Sequence, residues 1–302
     1  MAAQLSNARK YLHPEVVSKL ASMDLRARLV VEGFITGLHK SPYHGFSVEF
    51  AEHRQNMPGD EIKHVDWKVY GKTDRFYVKQ FEEETNLKSY ILLDASASMG
   101  YSSGQISKLE YASYIAGALA YLMIRQRDAV GLITFDDKIR RYLPPRSVTT
   151  YLNQLLLELD NTKSSSKTNI AAALHEMAER IKRRGLIILF SDLLDEPQEV
   201  FTGLRHFRHK NHEVIVFHTL DPMEINFAFN KDLVLKDLET GEELSIQAWH
   251  IREEYQRQVS NFINSYKKFC REHRIDYVLL NTKENFERAL FEYLLKRKKV
   301  GG

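Results

Sequence analysis

From residue 88 onward the chain alternates short apolar runs with helical patterns, and this alternation constrains its fold more than any other feature. The runs "SYILLD", "AVGLITF", "GLIILFSD", "HEVIVFHT" and "DYVLLN" are rich in Val, Ile and Leu and apolar on successive positions. Strands covered on both faces read this way. Between the runs, helices are predicted for Ser107 to Gln126, Val148 to Leu159, Asn169 to Arg184, Pro197 to His209, Trp249 to Glu272 and Glu284 to Lys296. Strands alternating with helices, joined by right-handed crossovers, predict an α/β fold with a doubly wound, mainly parallel sheet. "KIRRYL", following "FDD", reads as the return arm of a hairpin and predicts one antiparallel edge strand. Ser107 with Glu110 forms a capping-box pattern, and Gly185 sits where a helix ending at Arg184 would need a left-handed residue. Residues 230 to 247 read as two short strands around Thr240 and Gly241, an excursion from the sheet.

The first 86 residues have a different texture. In "PGDEIKHVDWKVYGK", Pro58 and Gly59 mark a turn, Asp60 is a candidate N-cap, and Ile62, Val65 and Val69 share one helical face before Gly71. "RFYVKQF" then alternates like a strand. Residues 1–86 are therefore expected to form a small α+β extension, and residues 87–302 the main domain.

Bulk properties narrow the function classes. A chain of 302 residues with 43% hydrophobic content can bury a substantial core. Its 43 Lys and Arg nearly balance 40 Asp and Glu, so no global field directs it to nucleic acid or an anionic membrane. One cysteine, Cys270, excludes an intrachain disulfide, disfavours a thiolate metal site and suits a reducing compartment. The apolar stretch "YASYIAGALAYLMI" is shorter than the about 20 residues that span a bilayer, and the N-terminus lacks the apolar core of a signal peptide. The expectation is a cytoplasmic protein with a buried helix at that stretch.

The first apolar run ends in "ILLDASASMG", where an aspartate is followed by two serines spaced one apart. In open α/β sheets ligands bind beyond the carboxyl ends of the strands, which is where this turn must lie. Two other loops on that edge carry oxygen ligands: "SSSKTN" offers Thr168 before a helix, and "LFSDLLD" offers Asp192 after a strand. Asp94, Ser96, Ser98, Thr168 and Asp192 together present two carboxylates and three hydroxyls, a set suited to magnesium or another hard divalent ion such as manganese. Two carboxylates barely balance the ion's charge. An open position would then attract an acidic side chain from a partner protein.

Each residue also has an ordinary reading: Thr168 as an N-cap for the helix starting at Asn169, Asp192 as a strand-end turn residue, Ser98 as a cap, Asp94 as a solvated terminus. Rival chemistries fit less well. A serine nucleophile would want G-x-S-x-G, whereas these serines lie in A-S-A-S-M; an aspartyl phosphotransferase would want a second acid where Ser96 stands; and "GYSSGQISK" lacks P-loop spacing. His206, His209, His212 and His218 could suggest zinc, but at a helix end and along the next strand they read better as dipole-complementing or packed residues.

At Asp94, Ser96, Ser98, Thr168 and Asp192 the sequence resembles a von Willebrand factor type A (vWA) domain, whose metal-ion-dependent adhesion site (MIDAS) is built from D-x-S-x-S, a threonine and an aspartate. The resemblance covers roughly residues 87 to 295 and implies a Rossmann-like fold. Upstream, "HRQNMPGDEIKHVDWKVYGKTDRFYVKQFEEE" resembles the bacterial family called domain of unknown function fifty-eight. Arg54, Pro58, Gly59, Asp60, Asp66 and Trp67 carry that match, with Asn56 replacing the usual aromatic two residues before P-G-D. The resemblance implies a MoxR-type AAA+ ATPase as partner. Many members carry membrane segments upstream; this sequence shows none, and no membrane insertion is expected.

The expected function is thus a non-enzymatic, metal-dependent protein-interaction module working with such an ATPase in a bacterial chaperone or assembly system. The alternative is a magnesium-dependent hydrolase or phosphotransferase using the same ion as a Lewis acid. For that alternative, His53, His64 and His175 are available as bases, but nothing in the sequence places them near Asp94.

Overall fold

The computed structural model describes residues 22, 23, 25–28, 30–31, 53–55, 77–79, 88–165, 169–229, 232–236 and 243–300. The strands are β1 (His53–Gln55), β2 (Tyr77–Lys79), β3 (Lys88–Asp94), β4 (Ala129–Phe135), β5 (Ile139–Arg146), β6 (Leu186–Ser191), β7 (Glu213–Leu220), β8 (Asp232–Lys236), β9 (Glu243–Gln247) and β10 (Asp276–Asn281). The helices are α1 (Lys108–Arg125), α2 (Thr149–Asn161), α3 (Ile170–Arg180), α4 (Pro197–His209), α5 (Pro222–Asn226), α6 (Ala248–Glu272) and α7 (Glu287–Val300).

Six strands form the central sheet in the order β10-β7-β6-β3-β4-β5. All neighbours are parallel except β4 and β5, which pair antiparallel. The sheet is therefore doubly wound and mostly parallel with one antiparallel edge, as the alternation of strands and helices predicts. The chain leaves β3 towards β4 and β5, then returns on the other side of β3 to build β6, β7 and β10. Strand order thus reverses between β3 and β6, the place where such sheets hold ligands.

Each strand feeds two cores. Ile91, Leu93, Ile188, Phe190, Ile215 and Phe217 pack under α1, α2 and α7, whereas Tyr90, Leu92, Ile187, Leu189, Val214 and Val216 pack under α3, α4 and α6. Side chains alternate faces along a strand, so a run apolar at every position is what two covered faces require. Each such residue contributes about 1.5–3 kcal/mol on burial. The stretch expected to be a buried helix is α1, with apolar residues from Leu109 to Ile124 out of solvent. Met23, Ala27, Val30 and Val31, in a helical stretch of the N-terminal region, join the same core.

Local signals are met at α1, where Ser107 accepts from the Glu110 backbone and Glu110 reaches back to Ser107 N at 2.8 Å. One is overturned. The third predicted helix ends at Arg180, not Arg184, and Ile181 turns inward to 1% exposure. Gly185 therefore does not terminate it; a Cβ there would lie 2.3 Å from the Lys88 carbonyl, so glycine is needed for the approach of β6 to β3.

β5 carries Pro144 and Pro145 within the edge strand. β1 and β2 pair antiparallel, Arg54 opposite Val78, placing a strand inside "RFYVKQF". β8 and β9 form the expected pair. The turn at Thr240 and Gly241, His64 and the block from Pro58 to Trp67, including Ile62 and Val65, lie outside the described residues, as does Val69.

Candidate metal centre

The last residue of β3 is Asp94, fully buried. Beyond it the chain turns sharply because Ser96 N donates to Asp94 Oδ1 at 2.9 Å. Ala95 N donates to the Phe135 carbonyl at 2.7 Å, prolonging the β3–β4 ladder into the turn. Ser96 Oγ and Ser98 Oγ lie 3.1 Å apart. The D-x-S-x-S alternation thus brings two hydroxyls together beside one carboxylate, and Ser98 starts a single 3₁₀ turn, Ser98–Gly100, which has no side-chain cap.

The loop after β6 arrives alongside. Ser191 Oγ donates to Asp94 Oδ2 at 2.6 Å and accepts from Leu193 N at 2.9 Å. Asp192 follows, also fully buried. Burial, and then the charge of Asp192, push the Asp94 carboxyl up to about 7, against the hydrogen bonds from Ser191 and Ser96. Two carboxyls thus act on one another out of water, where a nearby cation would favour the ionised form of both.

Four of the five expected residues, Asp94, Ser96, Ser98 and Asp192, therefore gather at one edge of the sheet. Thr168 lies outside the described residues. Ser165 N donates to the Ala95 carbonyl at 2.8 Å, holding the preceding loop on the Asp94 turn. The helix that follows, α3, is capped by Asn169, whose side chain accepts from Ala172 N at 3.0 Å. The N-cap role considered for Thr168 is thus filled by its neighbour. Asp195 Oδ2 accepts from Ile170 N at 2.8 Å and Ala171 N at 3.3 Å, tying the start of α3 to the loop that carries Asp192.

Sequence reading missed the residues that fix Asp192. Lys108 Nζ, fully buried at the first position of α1, donates to Asp192 Oδ2 at 2.8 Å and to Glu224 Oε1 at 2.5 Å. Glu224 lies on α5, an element not predicted, although Asp221, Pro222 and Glu224 carry its signal: Met223 N donates to Asp221 Oδ1 and Asp221 N to Glu224 Oε2, both at 2.8 Å. The signal for Lys108 was a cation in a first helical turn, where the macrodipole disfavours it.

His218 and Tyr266 hold the backbone of the same loop. His218 Nε2 is 2.9 Å from the Asp192 carbonyl and Nδ1 is 2.6 Å from Tyr277 Oη. A carbonyl only accepts, so Nε2 carries the proton and Nδ1 accepts from the tyrosine. Burial lowers this imidazole's pKa to about 4, which keeps it neutral. Tyr266 Oη donates to the Leu193 carbonyl at 3.2 Å, and Leu193 itself has a φ of 56°. The other histidines scatter: His206 and His209 occupy the last turn of α4, and His212 is buried near the Ile181 carbonyl. His175 lies beside His206, Nδ1 to Nδ1 3.3 Å.

The donors on the described part of this centre are carboxylate and hydroxyl oxygens, the chemistry of a magnesium-type ion. These residues stand at the switch point of the sheet, which defines the class of architecture: an open, doubly wound α/β domain with an oxygen-rich rim. The profile of the family "Protein of unknown function DUF58" matches residues 52–262, and the chain belongs to that family. The uncharacterized proteins Rv1480 of Mycobacterium tuberculosis and Mb1516 of Mycobacterium bovis are each 24% identical to it over 231 residues, 76% of this chain and 72% of theirs. Similar solved structures include the conserved hypothetical protein BatB from Bacteroides thetaiotaomicron, with 17% identity, a TM-score of 0.48 and coverage of 70% of this chain and 99% of that one. An aerotolerance-related membrane protein from Bacteroides fragilis has 18% identity, a TM-score of 0.44 and the same coverages, and the VWA domain of SpRpn10 has 10% identity, a TM-score of 0.40 and coverages of 68% and 94%. Among the described residues no helix is long and apolar enough to cross a membrane.

Proposed function

We propose that the protein is a non-enzymatic, metal-dependent interaction module. Asp94, Ser96, Ser98, Thr168 and Asp192 would hold Mg2+ or a similar hard divalent ion, and an acidic side chain of a partner protein would complete its coordination. A MoxR-type AAA+ ATPase is the partner class the family resemblance favours. The observation that carries this reading is the meeting of Asp94 and Asp192, both fully buried, beside paired serine hydroxyls. Support for a binding rather than a catalytic role comes from His218, the imidazole bonded to the Asp192 carbonyl, whose two nitrogens are both engaged.

The test is capture of partners from the native host with and without chelator. Capture by wild type that disappears in EDTA and in the Asp94→Ala, Ser96→Ala variant is expected. Capture unchanged by EDTA would refute the proposal, and metal-dependent turnover of generic phosphatase or esterase substrates, abolished by Asp94→Asn, would replace it with an enzyme.

A further inference from the structure

Lys108 is out of place by ordinary rules. Its ammonium is wholly removed from water and stands at the positive end of a long helix, two circumstances that each disfavour a cation. It is kept there by two anions from two different loops, Asp192 after β6 and Glu224 on α5. Glu224 is in turn fixed by Asp221 N, and Asp221 Oδ2 accepts from Ser103 N at 2.9 Å, so the loop after β7 is fastened to the segment that leads from the Asp94 turn into α1. Burial acts to lower the ammonium's pKa, but Asp192 and Glu224 outweigh it and hold it above its ordinary value.

Charge counting shows what this does to the centre. Asp94 and Asp192 together match one divalent ion; Lys108 and Glu224 match each other. Without Glu224, the lysine would add an uncompensated positive charge next to the ion. Without Lys108, Asp192 would lose its resident counter-charge, and one of its oxygens would be released to other donors.

We propose that Lys108 is a positioning residue that governs the metal centre: it holds Asp192 in place through one carboxylate oxygen whether or not a divalent ion is present, and its charge, moderated by Glu224, weakens the affinity for that ion. The inference deepens the metal-binding reading and rests on it. It makes the centre a pre-formed, readily exchanging site rather than one assembled by the metal.

The experiment titrates Mg2+ and Mn2+ into wild type, Lys108→Met, Lys108→Arg and Glu224→Gln by calorimetry, with melting curves in EDTA and in excess Mg2+. Lys108→Met is expected to bind about tenfold more tightly and to melt lower in EDTA than in Mg2+, by a wider gap than wild type. Lys108→Arg should restore the wild-type affinity, and Glu224→Gln should bind several-fold more weakly. A merely structural lysine would lower the melting point without moving affinities in opposite directions. If wild type binds metal and Lys108→Met and Glu224→Gln bind it equally well, the inference falls while metal binding stands. Binding by none of the proteins overturns both. Binding by Lys108→Met alone would show the lysine taking the ion's place in wild type and would overturn both. Should Lys108→Met fail to fold, Glu224→Gln decides: an unchanged affinity overturns the inference.

Discussion

Two aspartates on neighbouring strands share almost everything except a cation. Asp94 closes β3 and Asp136 follows β4; both lie at the carboxyl edge and both are fully buried. Burial alone would raise either carboxyl. At Asp136 it is overcome by Arg140, whose Nε donates at 2.5 Å and whose second guanidinium nitrogen also pairs with it, and by Ser165, so the carboxyl is drawn down to about 2. At Asp94 burial and the charge of Asp192 prevail and the carboxyl rises to about 7. The chain can evidently furnish a strand-end carboxylate with its own counter-ion. It does so for Asp136 and, through Lys108, for Asp192; Asp94 receives only hydroxyl and amide donors.

The sharpest way to break this comparison is to remove the carboxylate that lacks a cation. The Asp94→Ala, Ser96→Ala variant is expected to lose Mg2+ affinity by about a hundredfold or more while keeping its far-ultraviolet dichroism. Retained affinity in calorimetry would remove the distinction between the two aspartates. A second test adds the ion. Mg2+ at about 100 times its Kd should stabilise wild type by about 2.7 kcal/mol, raising the melting temperature by about 5–10 °C. Asp94→Asn should abolish that shift and Arg140→Gln should leave it intact.

The reciprocal change is smaller. Arg140→Gln deprives Asp136 of its counter-ion and should cost about 1 kcal/mol, a figure reduced because the guanidinium is half exposed. The sign follows from the depressed carboxyl. The unfolded chain binds this proton more readily, so the stabilisation is complete above the ordinary value of 3.8 and disappears as pH falls towards about 2. Melting curves of the two proteins should converge over that interval. The smallest effect is at His218, whose ring resonances should stay constant from pH 8 to about pH 5, because protonation begins only towards about 4. Titration near its ordinary value of 6.5 would show that water reaches the underside of the Asp192 loop.

The parts of this arrangement legible in the sequence are those set by near neighbours. Ile91 and Leu93 face one core and Tyr90 and Leu92 the other, so β3 reads as an unbroken apolar run. The turn from Asp94 to Ser98 is closed by its own atoms, and its pattern could be read directly. What escaped was decided at a distance. α3 stops at Arg180 because Ile181 enters the core and the end of the helix is finished by remote groups, Lys210 Nζ donating to the Ala178 carbonyl at 3.0 Å and His212 Nε2 lying 3.3 Å from the Ile181 carbonyl. Nothing between Arg180 and Gly185 announces this. The partnership of Lys108 with Asp192 spans 84 positions, and its local sign, a cation in a first helical turn, names no partner. α5 was local and overlooked, as was the helical stretch that carries Met23 and Ala27.

The prolines of β5 bear on how any other molecule can approach. Pro144 and Pro145 have no amide hydrogen to offer, and arginines at 140, 141 and 146 crowd the same strand. A visiting chain seeking to lengthen the sheet at that margin would meet a broken row of donors and a concentration of positive charge. Strand exchange between copies at that margin is discouraged by the same means.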